Sequence, residues 1–250
     1  MGYMKYAAIV LSSIILLWIS LSSCTVNQQV YLNPDGSGKA DVEIKLDSML
    51  VNYMESLSEI SGERSGKAIF DLSRIKLFFD QNPGLALLYA ISPQPSVLRL
   101  GFTFKNIQEV FESELEGSSG SSNLPITYDG SGKDKKFLFH LDRDNYNAVV
   151  DRVIEISSFG AYEEYFRALL EPGPEELIVD MYTYAFEEFT KDNSVVEVLK
   201  SSTISTYLEI KGKLLSYKGG KPEQGGINYV IPLLRLLTLE TPLEYEVIFR

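Results

Sequence analysis

Few residues in this chain are of a type and spacing to do chemistry. Its 250 residues include one cysteine, Cys24, and one histidine, His140. Cys/His zinc sites, two-imidazole sites and intrachain disulfides all need more than that. His140 shares one face of an alternating stretch with Leu138 and Asp142, while Phe137, Phe139 and Leu141 take the other. That is the pattern of a structural strand residue, and no Gly-x-Ser-x-Gly elbow accompanies it. The paired acids Glu163-Glu164, Glu175-Glu176 and Glu187-Glu188 are sequence neighbours. Neighbours on a helix diverge by about 100°, so each pair reads as a solvated face rather than a catalytic dyad. Asp35-Gly36-Ser37-Gly38-Lys39 recurs as Asp129-Gly130-Ser131-Gly132-Lys133. Counted from Asn33, the first copy imitates a calcium loop until its last ligand position, where Ile44 replaces the bidentate carboxylate. Ala40 and Asp134 follow the lysines where a phosphate loop needs Ser or Thr. Both copies therefore read as tight turns. Tyr162, Tyr165, Phe166, Tyr182, Tyr184, Phe186 and Phe189 crowd into one helical stretch, and Tyr184 and Phe186 fall off its main apolar stripe. They are candidates for an apolar ligand or partner surface as well as for interhelical packing.

The segment before Cys24 explains the cysteine. Met1 to Lys5 carry one positive charge, and Tyr6 to Trp18 form an apolar run broken only by Ser12 and Ser13. A membrane-crossing helix needs roughly 20 apolar residues, whereas a shorter run behind a charged start suits a secretory signal. Leu21-Ser22-Ser23-Cys24 then places Leu three residues before the cysteine with small residues between. This resembles the lipobox of bacterial lipoprotein precursors. The resemblance implies a signal peptide over 1–23, cleavage after Ser23, a diacylglycerol thioether on Cys24 and often acylation of the new amino group. A capped sulfur suits an exported chain, and two or three acyl chains hold a protein stably on a membrane. The covalent lipid is the one attached group expected, with no metal and no other cofactor. The N-myristoylation pattern fails, because Tyr6 stands where Ser or Thr belongs. Thr25 follows the cysteine where Asp would imply inner-membrane retention, so the resemblance favours the outer membrane over the outer leaflet of the inner one.

The mature chain, 24–250, reads as α+β. Val30 to Leu32 and the alternating Val42, Ile44 and Leu46 form a hairpin, followed by helices carrying Met49, Leu50, Tyr53, Met54, Leu57 and Ile60, then Ala68, Leu72, Ile75 and Phe79. A second hairpin spans Leu85 to Phe104, and Asn106 with Glu109 resembles a capping box opening a helix. After the linker 117–123, a candidate subdomain boundary, a third hairpin runs from Ile126 to Leu141 and leads to a helix bearing Tyr146, Val149, Val150 and Ile154. Residues 161–201 read as a helical insertion, with Pro174 in a first turn and Asp192 as a cap. Alternation at Ile204 to Ile210, Ile227 to Ile231 and Leu243 to Phe249 closes the chain with an antiparallel strand group. Successive hairpins with helices to one side imply an antiparallel sheet.

Lys+Arg 23 against Asp+Glu 34 gives a net charge of −11. Nucleic-acid binding, which needs a basic face, is not expected. The lipidated cysteine, the first strand within ten residues of it, the Asp-Gly-Ser-Gly turn and the closing apolar strand together resemble mycobacterial LppM-type envelope lipoproteins. Val230 to Leu239, interrupted by Pro232 and Arg235, is too short for the carboxyl-terminal membrane helix of that family. The sequence thus leads to a lipid-anchored envelope protein, held by the membrane and facing an envelope protein or lipid, whose body is a non-enzymatic binding or assembly module. A carrier of lipid or another apolar ligand is the alternative, with the aromatic helices as pocket wall. A glycan hydrolase using paired carboxylates is a third.

Overall fold

Alternation of apolar and polar side chains builds the first hairpin in the computed structural model, which describes residues 23–60, 69–110, 124–156, 163–190 and 194–250. Strands β1 (Thr25–Leu32) and β2 (Gly38–Lys45) pair antiparallel from Thr25↔Lys45 to Leu32↔Gly38. Val30, Leu32, Ala40, Val42 and Ile44 turn to the core, and the odd-numbered residues between them turn outward. The turn is closed by Asp35, whose Oδ1 accepts from the Ser37 N–H at 3.0 Å and its hydroxyl at 2.6 Å. Helix α1 (Ser48–Ile60) is capped as expected by Asp47, whose Oδ1 accepts from the Met49 N–H at 2.7 Å. Helix α2 (Leu72–Gln81) is capped by Asp71 through the N–H groups of Ser73 and Arg74, and buries Ile75, Phe78 and Phe79.

The second hairpin is β3 (Leu85–Gln94) with β4 (Val97–Phe104). Asn106 Oδ1 does accept from the Gln108 N–H, but the turn that comes next is a 3₁₀ helix over Ile107–Val110. The remainder of that expected helix, and the candidate boundary at 117–123, lie outside the described residues, as does the signal segment 1–22. Strands β5 (Ile126–Asp129) and β6 (Lys135–Leu141) form the third hairpin, in which Asp129 repeats the bonding of Asp35 on Ser131. The two Asp-Gly-Ser-Gly turns meet across one ring: the Tyr128 hydroxyl donates to the Pro34 carbonyl at 2.8 Å, and a Cβ on Gly36 or on Gly130 would lie 2.9 Å from that ring.

Helix α3 (Tyr146–Ile156) comes next, then the helical insertion: α4 (Glu163–Leu169), α5 (Glu175–Phe186) with a 3₁₀ turn at Glu187–Phe189, and α6 (Val195–Ser201). Pro174 is the N-cap of α5 rather than its first turn. Ser194 caps α6, in a capping box with Glu197; the expected cap, Asp192, lies outside the described residues. The chain ends with β7 (Thr203–Ile210), β8 (Leu214–Lys218), β9 (Lys221–Glu223), β10 (Gly226–Pro232), α7 (Leu233–Thr238) and β11 (Leu243–Phe249).

The class is α+β, with two sheets rather than one. Seven strands run in the order β3-β4-β2-β1-β7-β10-β9, and four antiparallel strands in the order β5-β6-β11-β8. The larger sheet is mixed, because β1 and β7 are parallel from Thr25↔Thr203 to Leu32↔Ile210. A parallel pair needs a long crossover, and the helices before β7 supply it. The stretch between β7 and β10 contains β8 and β9, joined by Gly219 and Gly220 at φ 72° and 67°. A Cβ there would come within 2.5 Å of the Tyr245 ring and 2.6 Å of the Tyr229 ring, so only glycine passes between the sheets at this point.

Three cores result. The inner face of the seven-stranded sheet packs on α2 and on the four-stranded sheet, around residues such as Phe79, Phe102, Phe137 and Phe249. Helices α1, α4, α5, α6 and α7 share a second core around Phe186, Leu199 and Leu237. A third joins α3 to Leu141, Ile231 and Leu243. Among the described residues no helix is long and apolar enough to cross a membrane.

Candidate functional site

Cys24 immediately precedes β1, and three of its atoms are held. Its N–H donates to Ser202 Oγ at 3.0 Å, its carbonyl accepts from the Thr203 N–H at 3.1 Å, and its Sγ accepts from the Asp47 N–H at 3.3 Å. Ser202 is 1% exposed and its hydroxyl donates to the Val198 carbonyl at 2.7 Å, so it links the cysteine to the end of α6. Asp47 is the cap of α1. The cysteine therefore sits where the central strand, α1 and α6 converge. Burial pushes its thiol pKa up, and the nearby Asp47 charge adds to the rise against the hydrogen bonds from Asp47 and Ser202. Such a sulfur is a poor nucleophile in its free form. Ser23 precedes it at a bend, partly buried.

The aromatic candidates are distributed unevenly. Tyr162 lies outside the described residues, and Tyr165 falls within α4. Phe166, Phe186, Tyr182 and Phe189 belong to the helical core, where Tyr53 meets Phe186 edge-on at 4.8 Å and Phe189 at 5.2 Å. The Tyr182 hydroxyl donates to the Leu169 carbonyl at 2.9 Å, and burial drives its pKa far above the ordinary range, helped by the charges of Tyr146 and Cys24 nearby. Tyr184 stands apart, 88% exposed on α5 with Leu177.

Sequence reasoning missed a third place, the outer face of the seven-stranded sheet. A shallow cleft of about 420 Å³ there is lined by residues from all seven strands, among them Asn27, Gln29, Asp41, Tyr89, Arg99 and Tyr207. Polar alternation on each strand was visible, but the strand order that aligns these residues was not. Gly101 lets the Tyr89 ring lie against the sheet, since a Cβ would stand 2.2 Å from it, and the Tyr89 hydroxyl donates to Asp41 at 2.8 Å. Glu43 is held by Arg99 at 2.7 Å and Lys45 at 2.8 Å. Those two cations, Lys45 first, keep its carboxyl below the usual range.

His140 Nε2 lies 3.0 Å from Asp142 Oδ2, and Asp142 Oδ1 accepts from the N–H groups of Asp144 and Asn145 at the entry to α3. Glu175 and Glu176 sit exposed in the first turn of α5, and Glu187 and Glu188 are exposed after it. Glu164 is exposed on α4.

No family model matches this chain, and no curated protein matches it. Among solved structures it is similar to the folded domain of LppM from Mycobacterium tuberculosis, determined by NMR, at 6% sequence identity over 92% of this chain and 90% of that chain, with a TM-score of 0.41.

Proposed function

We propose that this is a lipid-anchored cell-envelope lipoprotein whose folded body is a non-enzymatic binding module. The carrying observation is the seat of Cys24. A thioether sulfur keeps the lone pairs that accept from Asp47, and an acylated nitrogen keeps the one N–H that donates to Ser202. The modification implied by Leu21-Ser22-Ser23-Cys24 therefore leaves both hydrogen bonds of the seat intact. Thr25, in place of a retention Asp, favours the outer membrane.

A binding role is supported by how the outer sheet face uses its acids. Asp41 and Glu43 lie two residues apart on one strand face, about 7 Å, which is within the separation of a glycosidase pair. A general acid needs a raised pKa, yet Glu43 is held low by Lys45 and Arg99. Asp41 accepts from Tyr89 and lies 3.5 Å from Lys39. Glu43 is thus arranged to stay ionised, and both carboxylates fix their neighbours.

Cells expressing the chain and fed labelled palmitate test the anchor. The expected product is labelled, begins at Cys24 by mass spectrometry, and loses the label in a Cys24→Ser variant. An unlabelled product that retains Met1 to Ser23 would overturn the proposal.

A further inference from the structure

The outer face of the seven-stranded sheet has a chemistry of its own, and the class of ligand it selects rests on the binding-module reading. Two rows of side chains cross the strands. One places Arg99, Glu43, Asn27 and Ser205 side by side; the other places Gly101, Asp41, Gln29, Tyr207 and Asn228 in register. Two tyrosines belong to the second row, Tyr89 at its end beside Gly101 and Tyr207 within it. Tyr89 lies over Gly101 with 41% of its surface exposed, and Tyr207 is fixed by donating its hydroxyl to the Gln224 carbonyl. On β1, which lies between the strands of the two tyrosines, Asn27 and Gln29 are both exposed and both without a side-chain hydrogen bond among the described residues. Each amide offers two donor hydrogens and an acceptor oxygen in one plane.

Charge narrows the ligand. The face carries Lys39, Lys45, Arg99 and Lys221 against Asp41, Glu43, Glu209 and Glu223, four of each sign, on a chain whose net charge is −11. An anionic ligand would find no excess of positive charge. An apolar ligand would cover the two amides and leave them unpaired, which is costly. A neutral sugar polymer fits both features. Its hydroxyls donate and accept, and its C–H faces pack on exposed aromatic rings. We infer that this face binds an extended, uncharged oligosaccharide, with Asn27 and Gln29 bonding its hydroxyls and Tyr89 and Tyr207 supporting its rings. The distance from Tyr89 on β3 to Asn228 on β10 is five strand spacings, about 24 Å, so the match is to several sugar units and not to one.

The test is calorimetric titration of the full chain in detergent micelles with three neutral hexasaccharides, built of glucose, mannose or N-acetylglucosamine. Saturable binding is expected for at least one. The double variant Asn27→Ala, Gln29→Ala should weaken it about tenfold or more. Gly101→Val, which displaces the Tyr89 ring, should weaken it too, and Lys133→Ala in the distant turn should not. The altered amides are exposed, and unchanged circular dichroism melting confirms that the variants are folded. Absence of binding to all three sugars, equal affinity in the double variant, or preferential binding of an anionic glycan such as heparin would overturn the inference. Palmitate labelling of the same preparation separates ligand from anchor. Labelled protein that ignores sugars sinks only the ligand class, whereas unlabelled protein that binds them sinks only the anchor.

Discussion

Replacing Ser202 by alanine should loosen the joint between the cysteine and the body, by an amount set by the bonds its hydroxyl makes. That hydroxyl accepts from the Cys24 N–H at 3.0 Å and donates to the Val198 carbonyl at 2.7 Å. Without it the Val198 carbonyl still accepts from the Ser202 backbone N–H at 3.0 Å, so that acceptor is not orphaned. The Cys24 N–H loses its acceptor in a partly buried place. A buried donor left unpaired costs about 1–3 kcal/mol, so about 2 kcal/mol is expected here. For a chain of this size, 1 kcal/mol moves the melting temperature by about 2–4 °C, giving a fall of about 4–8 °C. Ser201 is the control. Its hydroxyl is exposed and bonds only the Glu197 and Val198 carbonyls of its own helix, so Ser201→Ala should stay within about 0.5 kcal/mol of the parent. Differential scanning calorimetry of the two variants decides the matter. If Ser202→Ala melts together with Ser201→Ala, Cys24 is not tied to α6 and its three-bonded seat is wrong.

Tyr229 gives a change of opposite sign. It is 4% exposed and its hydroxyl has no hydrogen-bond partner among the described residues, so Tyr229→Phe should be neutral or stabilising by about 1–2 kcal/mol in urea melts; a clear loss of stability would mean that the hydroxyl is satisfied. Alkaline pH should act through Tyr146, whose pKa burial pushes from 10.0 to about 12. A folded-state value above the unfolded one gives stability that is present below pH 10 and lost as pH rises through 12, so tyrosinate absorbance and unfolding should rise together in that window. Independent, earlier ionisation of every tyrosine would contradict this. In unprocessed, unacylated chain, iodoacetamide should alkylate Cys24 more slowly than in the urea-unfolded chain at about pH 8, because burial raises the thiol pKa and the thiolate is the reacting form. Equal rates would show that the sulfur is not enclosed.

Local chemistry was legible in the sequence wherever a few neighbouring residues decide the outcome. The Asp35 and Asp129 turns, the Asp47 cap and the apolar stripe of α2 all formed as expected, because each needs only contacts a few residues apart. What could not be read were choices made between distant segments. The parallel pairing of β1 with β7 joins residues 178 apart, such as Thr25 and Thr203, and the same alternation would have suited an antiparallel neighbour. Strands β8 and β9 are short, mostly exposed and joined by two glycines, so they have no apolar period to show. The residues before Cys24 suggest an anchor, but nothing near it in sequence announces its bond to Ser202. The outer face was invisible for the same reason as the sheet order: Asn27, Asp41, Tyr89 and Tyr207 become neighbours only once seven strands are placed side by side.

The proposed anchor and the proposed binding face have little slack between them. Cys24 is bonded through nitrogen, carbonyl and sulfur to other segments, and β1 starts at the next residue. With the proposed acyl chains on Cys24, no flexible linker separates the bilayer surface from the sheet. At about 3.3 Å per strand residue, Asn27 and Gln29 stand roughly 10 and 17 Å along β1 from the anchoring residue. A long flexible tether would let the face sample many distances and orientations. On the proposed reading this seat would restrict both, presenting the polar face to the layer just above the lipid headgroups. If both proposals hold, the attachment at Ser202 and Asp47 serves the recognition geometry as well as the fold's stability.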